Sequence, residues 1–235
     1  MEGPKIIFMI PLFGGIPVTE TVTNSWLIIL AVFIICKLLT RNLGKVPKGG
    51  QVIAERYVNM VNGLVDSTMG KGKRRYAPYI GTVFIFSAFG SLISLTGLRP
   101  VTADLNTTLS WALVTFMMTQ LGGIQAKGIV NWLKGFLDPI PFMLPMNIVS
   151  ELVNPISLSF RHFGNISAGV VITTLVYTGL AGLTNIIFQG WLPIPIFQLG
   201  IPAVLSVYFD LFSGILQAFI FCMLTMVFVG MATDP

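Results

Sequence analysis

The chain has 235 residues and a mass of 25.6 kDa; 54% of the residues are hydrophobic and only 10% are charged. A soluble domain carries about 25% charged residues, so too few ionisable side chains remain here to solvate a globular surface. Soluble enzymes, disordered chains and nucleic-acid binders are excluded, and a single polytopic all-α membrane domain over residues 1–235 is expected. The excess of 14 Lys+Arg over 9 Asp+Glu then reports loop topology rather than a nucleic-acid footprint.

The first residues, MEGPKIIFMIPLFGGIP, form an apolar stretch broken by Pro11, Gly14, Gly15 and Pro17, with no A-x-A site. No cleaved leader is expected. A spanning helix needs ~20 mostly apolar residues. The first is predicted at 22–40, with Trp26 at one interface and Lys37 snorkelling to the other. Further spans are predicted at 78–97 and 107–124. Between the first two, Val52, Ile53, Tyr57, Val58, Val61, Leu64 and Val65 recur at helical spacing, opposite Glu55, Arg56, Asn62 and Asp66. This pattern predicts an amphipathic helix over 50–68 at the cytoplasmic surface.

The segment 146–189 would reach ~60 Å as one helix, about twice the hydrocarbon thickness. It is read as two short spans or as one strongly tilted helix. The run 200–231 is also too long for an upright crossing, and together they suggest a tilted hairpin over about 146–231. Some five membrane-embedded helices are thus expected. Basic residues crowd 41–75 (Arg41, Lys45, Lys48, Arg56, Lys71, Lys73, Arg74, Arg75) and recur in 125–145 (Lys127, Lys134), whereas 98–106 holds only Arg99 against Asp104. The positive-inside rule places the first two loops and the C-terminus in the cytoplasm, and the N-terminus, 98–106 and the turn 190–199 outside. Cys36 and Cys222 lie in apolar runs and suggest no disulfide framework. With His162 the only histidine, neither a metal site nor a cofactor is expected.

Ionisable residues inside spans are costly and are functional candidates. Arg161 stands out. Its guanidinium keeps its proton at any ordinary pH, and burying it in lipid costs at least ~3 kcal/mol on insertion scales. At about 100° per residue, Asn154, Asn165 and Ala168 fall on its face of a helix, with Gly164 at the edge. Small residues there admit the close approach of a partner helix. Ser206, Asp210, Ser213 and Gln217 follow at offsets 0, 4, 7 and 11. They form a polar stripe that suits either a water-filled crevice or a set of interhelical hydrogen bonds. Glu151 is the third intramembrane ionisable group.

NPISLSFRHFGNISAG resembles the R-x-F-G-N-x-x-A-G signature of the a subunit of the F-type ATP synthase. ILQAFIFCMLTMVF is similar to that family's final-helix signature, and VTADLNTTLSWAL to its P-T-x-D-L-N-T-T loop, with Val101 where proline is usual. The resemblance covers nearly the whole chain. It implies a membrane stator lying against a ring of c subunits, held by peripheral-stalk b subunits in a bacterial plasma membrane. Two half-channels would carry H⁺, or alternatively Na⁺, to and from the ring carboxyls. It further implies that Arg161 is the essential arginine, with Asn165, Gln217 and Glu151 at family positions. The acid and histidine that the family often pairs become Asp210 and the apolar Val170 here, so Asp210 is expected to work without a histidine. His162 does not match the family's histidine position. On this reading Asn154, Ser206 and Ser213 line the ion path, Gly164 and Ala168 face the ring, and the chain makes and breaks no covalent bond itself. The alternative from composition alone is a self-contained cation transporter or channel.

Overall fold

The computed structural model describes residues 4–11, 15–188, 198, 200, 204–205 and 207–234. Two short strands, β1 (Ile6–Ile10) and β2 (Ile16–Thr19), form an antiparallel hairpin. The helices are α1 (Glu20–Leu39), α2 (Gly50–Met69), α3 (Ala77–Leu92), α4 (Leu105–Lys127), α5 (Ile129–Gly135), α6 (Leu144–Phe188) and α7 (Gly214–Ala232). A π-helical segment, Val207–Ser213, runs directly into α7. The hairpin is an addition to the helical pattern: Pro11, Gly15 and Pro17 bar a helix there, and the IIFMI run favours a strand.

Among the described residues, four stretches are long and apolar enough to cross a membrane: Glu20–Leu39, Arg74–Thr96, Pro141–Ile187 and Val207–Ala232. At 23 residues α4 also has the length of a crossing, but Asn106, Thr107, Ser110, Thr115, Thr119 and Gln120 make it more polar, and it packs inside the bundle against α6 and α7. Asp104 starts α4 as its N-cap, its carboxylate accepting from the Asn106 amide at 3.0 Å, the bond that satisfies an orphan helix donor.

The expected helix at 50–68 is α2. Its Val61, Val65 and Met69 are buried against the first half of α3 and the last half of α7, while Val52, Ile53 and Val58 remain exposed. The Tyr57 hydroxyl donates to the Gly81 carbonyl at 2.7 Å, and burial pushes that phenol above its ordinary pKa. Beyond α2, Arg74 donates to both carboxylate oxygens of Asp66. That hydrogen bond is the main cause holding the Asp66 carboxyl below the usual range.

The main core joins Val61 and Val65 of α2, Ile80 and Val83 of α3, Ala112 of α4, Leu158 of α6, and Phe221, Cys222 and Met226 of α7. A second cluster, Ile28, Ile93 and Val101, closes the opposite end, where Asn24 donates to the Arg99 carbonyl at 3.0 Å. Hydroxyl pairs run between the helices: Thr115 with Thr225 at 3.1 Å, Thr108 with Ser159 at 3.1 Å, and Ser91 with Thr102 at 3.0 Å. Lys73 donates to the Gly230 carbonyl at 3.1 Å and pairs with Asp234. The start of α3 and the ends of α4 and α7 therefore meet at the end of the bundle that carries the basic loops.

Small residues set the spacing of these helices, as packing in lipid requires. A Cβ added to Gly214 would stand 2.8 Å from the Ser91 Cβ. Gly214→Leu should therefore part α3 from α7 and destabilise the bundle by ~1–3 kcal/mol, seen as a lower Tm in detergent. Ser91→Gly should recover much of the loss in Gly214→Ala. An unchanged Tm in Gly214→Leu would show that this contact does not fix the spacing.

Candidate functional site

The segment read at 146–189 is one continuous helix of 45 residues, with Pro155 inside it. Pro155 has no amide hydrogen, so the Glu151 carbonyl one turn earlier loses its helical donor. A backbone group freed in this way needs a polar neighbourhood at membrane depth, and one is present. A cleft of ≈ 490 Å³ opens beside this turn, lined by Thr119, Gln120, Lys127, Asp138, Asn147, Glu151, Asn154 and Pro155, among others. Gln120 of α4 donates to the Glu151 carboxylate at 2.9 Å. Asn147 donates to the carbonyls of Phe136 and Asp138, both at 2.9 Å, which ties the loop after α5 to the start of α6. The cleft lies at the end of the bundle where the basic loops gather, since Lys127 and Ala232 also line it. Asn154 belongs to this cleft with Glu151.

Three turns further along, α6 presents two different sides. Leu158, Ser159, His162 and Ile166 are buried in the bundle, whereas Ser157, Arg161, Asn165, Ala168, Ile172 and Leu175 form an exposed stripe. Among the described residues the Arg161 guanidinium has no hydrogen-bond or ion-pair partner. Gly164 borders the stripe, and nothing lies within 4 Å of a Cβ added to it. Asn165 donates to the Gln217 side-chain carbonyl at 2.7 Å, and Gln217 is 2% exposed. The amide pair thus pins α6 to α7 beside the arginine.

The third group lies where the polypeptide enters α7. Asp210 and Ser213 occupy the π-helical segment Val207–Ser213 and are half-buried. The 100° phase of an α-helix does not hold through such a segment, so Asp210 and Ser213 keep partial exposure while Gln217 turns fully inward. Among the described residues Asp210 has no hydrogen-bond or ion-pair partner. Its neighbour Phe209 packs on Gly169 of α6, where an added Cβ would meet the ring at 3.4 Å. Ser206 and, apart from Gln198, the turn read in 190–199 lie outside the described residues.

The structure brings together Arg161, Asn165 and Gln217. It keeps Glu151 and Asn154 apart from them, ten and seven residues before Arg161 along α6, or ~15 and ~10 Å by helical rise, and keeps Asp210 and Ser213 on the far side. Two contributions escaped the sequence reading. Gln120, the partner of Glu151, was signalled only by being an amide inside a span. The burial of His162 against Ser87 at 3.2 Å carried no signal beyond helical phase.

The sequence matches the family model described as ATP synthase A chain over residues 22–230. It is 33% identical over 261 residues to the ATP synthase subunit a, sodium ion specific, of Propionigenium modestum, covering 97% of this chain and 84% of that one. It is 34% identical to ATP synthase subunit a of Moorella thermoacetica, over 92% of both chains. With subunit a of Campylobacter jejuni the identity is 35%, over 88% of this chain and 87% of that one. A match over nearly the whole length, joined to a predominantly helical membrane architecture, shows that the chain belongs to the ATP synthase A chain family.

Proposed function

We propose that this chain is the membrane stator of a rotary ATP synthase in a bacterial plasma membrane, with Arg161 as its fixed charge. The observation that carries the reading is an arginine without a partner on an exposed stripe of small and amide residues, in a helix long enough to cross a membrane. Lipid cannot satisfy a guanidinium. A carboxylate on a neighbouring subunit can, and the small residues around Arg161 leave room for it. The partner is the c-subunit ring, with b subunits holding the stator still.

The ring carboxyl arrives neutral, having bound H⁺; Na⁺ is the alternative that the name of the Propionigenium relative raises. Facing Arg161, the carboxyl is stabilised as an anion and releases its ion. It must be neutralised again before it re-enters lipid, which forces ion transfer at every step. Because Arg161 never loses its proton, it also repels cations that would leak straight across. Each charge moved contributes ~2.3 kcal/mol per 100 mV. The cleft holding Glu151, Asn154 and Gln120 supplies the cytoplasmic half-channel, next to the basic loops. Asp210, with Ser206 and Ser213, supplies the outer one, with the N-terminus outside and the C-terminus in the cytoplasm. ATP chemistry belongs to other subunits of the complex.

Arg161→Ala should abolish ion-coupled ATP synthesis while the complex still assembles, as measured in inverted vesicles. Arg161→Lys should fail as well, since an ammonium can lose its proton and lacks the planar fork. Full coupled synthesis in either variant would sink the reading. Gly164→Leu and Ala168→Leu should lower passive ion conduction through the membrane sector by pushing the ring away, at an overpacking cost of ~1–3 kcal/mol. Unchanged conduction in both would mean that this stripe does not meet the ring.

Asp210→Asn preserves shape and removes the exchangeable charge. It should slow ion flow substantially, and more than Ser213→Ala does. A cysteine placed at 210 should react with a small water-soluble thiol reagent added from outside. Wild-type flux in Asp210→Asn, together with no labelling from either side, would remove Asp210 from the path.

A further inference from the structure

His162 immediately follows Arg161 but turns into the bundle, whereas Arg161 is exposed. It is 0% exposed. Its Nε2 shares a hydrogen bond with the Ser87 hydroxyl of α3 at 3.2 Å. Its ring meets Trp111 of α4 edge-on at 5.8 Å between centroids and Phe221 of α7 at 5.5 Å. Nδ1 is buried with no hydrogen-bond partner. A leucine would fill such a seat without leaving a buried ring nitrogen unpaired, so packing alone does not account for an imidazole. What the imidazole adds is a directional bond to α3, while its ring is held by α4 and α7. Three helices therefore grip one side chain at the residue next to the exposed arginine. Successive residues on a helix stand about 100° apart, so fixing His162 inward fixes Arg161 outward.

We propose that His162 is a positioning residue for Arg161: its bond to Ser87 sets the roll of α6 about its own axis, and so aims the guanidinium at the partner carboxyl. One turn away, the bond from Asn165 to Gln217 holds the same helix from α7, so two polar anchors follow the arginine within about one turn. A small error of aim is costly, because a misplacement of about 1 Å at a reacting centre can lower a rate on the order of hundredfold. The inference rests on the reading of Arg161 as the stator charge.

The test reads the roll and the coupling separately in the assembled complex. The hydroxyls of Thr108 and Ser159 lie 3.1 Å apart on the buried side of α6, one turn before His162. Thr108→Cys with Ser159→Cys, in a Cys36→Ser, Cys222→Ala background, should form a disulfide readily under mild oxidation. His162→Leu should slow that cross-linking and, without the added cysteines, lower coupled ATP synthesis on the order of ten-fold or more. His162→Gln, whose amide nitrogen stands about where Nε2 does, should recover both. Ser87→Ala, which leaves the imidazole in place, should weaken both in the same direction and decides the matter if His162→Leu does not assemble. Full synthesis in His162→Leu or Ser87→Ala overturns the proposal. So does lost synthesis with unchanged cross-linking, which would place His162 in the ion path itself. A synthesis-competent Arg161→Ala would sink the stator reading instead, while leaving the cross-linking response to His162 intact.

Discussion

A permanent cation on the exposed side of a membrane helix is the constraint on which the rest of this structure depends. Arg161 cannot be neutralised by losing a proton, and no described residue of its own chain neutralises it by pairing. On the proposed reading, the remaining outlet is a charge that comes from another subunit. The chain then has two tasks that pull in different directions. It must keep the face around Arg161 bare enough for a moving partner, and it must hold the opposite face of α6 rigidly. The two sides of α6 divide these tasks. Gly164 and Ala168 leave the first side low, while Leu158, Ser159, His162 and Ile166 bury the second.

Rigidity in lipid has to come from sources other than the expulsion of water, because lipid tails are as apolar as leucine. The bundle relies on close packing at glycine and on short polar bonds across helices. Gly214 lies against Ser91, and Gly122 against Thr233 and Tyr76. Hydroxyl pairs join α4 to α6 and to α7, and an amide pair joins α6 to α7. Each such bond contributes only ~0.6–2 kcal/mol. Their value here is geometric as much as energetic, since each one fixes a helix in both rotation and height.

The membrane architecture was legible because its signal is coarse: runs of about twenty apolar residues separated by loops of unequal charge. Arg161 stands out for the opposite reason, as one residue that lipid does not tolerate, and its role belongs to the proposed reading. The helical phase that grouped Arg161, Asn165 and Ala168 also worked, since α6 is regular there. It worked less well across Ser206–Gln217, because a π-helical segment from Val207 to Ser213 changes the angle per residue, and nothing in VYFDLFS announces that change. The continuity of α6 through Pro155 was equally hidden. A proline inside a helix usually marks a break, and only the cleft beside Glu151 explains why the freed carbonyl is tolerated. Gln120 could be noticed as a polar residue in a span, but its pairing with Glu151 depends on how α4 and α6 pack.

The length of α6 gives the last step. Forty-five residues are about twice what an upright crossing of the hydrocarbon needs, so the helix must lie strongly tilted. A tilted helix separates its residues sideways as well as in depth. Glu151 and its cleft lie before Arg161 along this axis, and the segment bearing Asp210 packs beyond it at Gly169. On the proposed reading, the two aqueous approaches are therefore displaced from each other across the membrane plane, with the fixed cation between them. No straight path joins them. An ion that enters on one side can leave on the other only by being carried around on the partner's carboxyl, which is how a static helix with one charge couples ion flow to rotation.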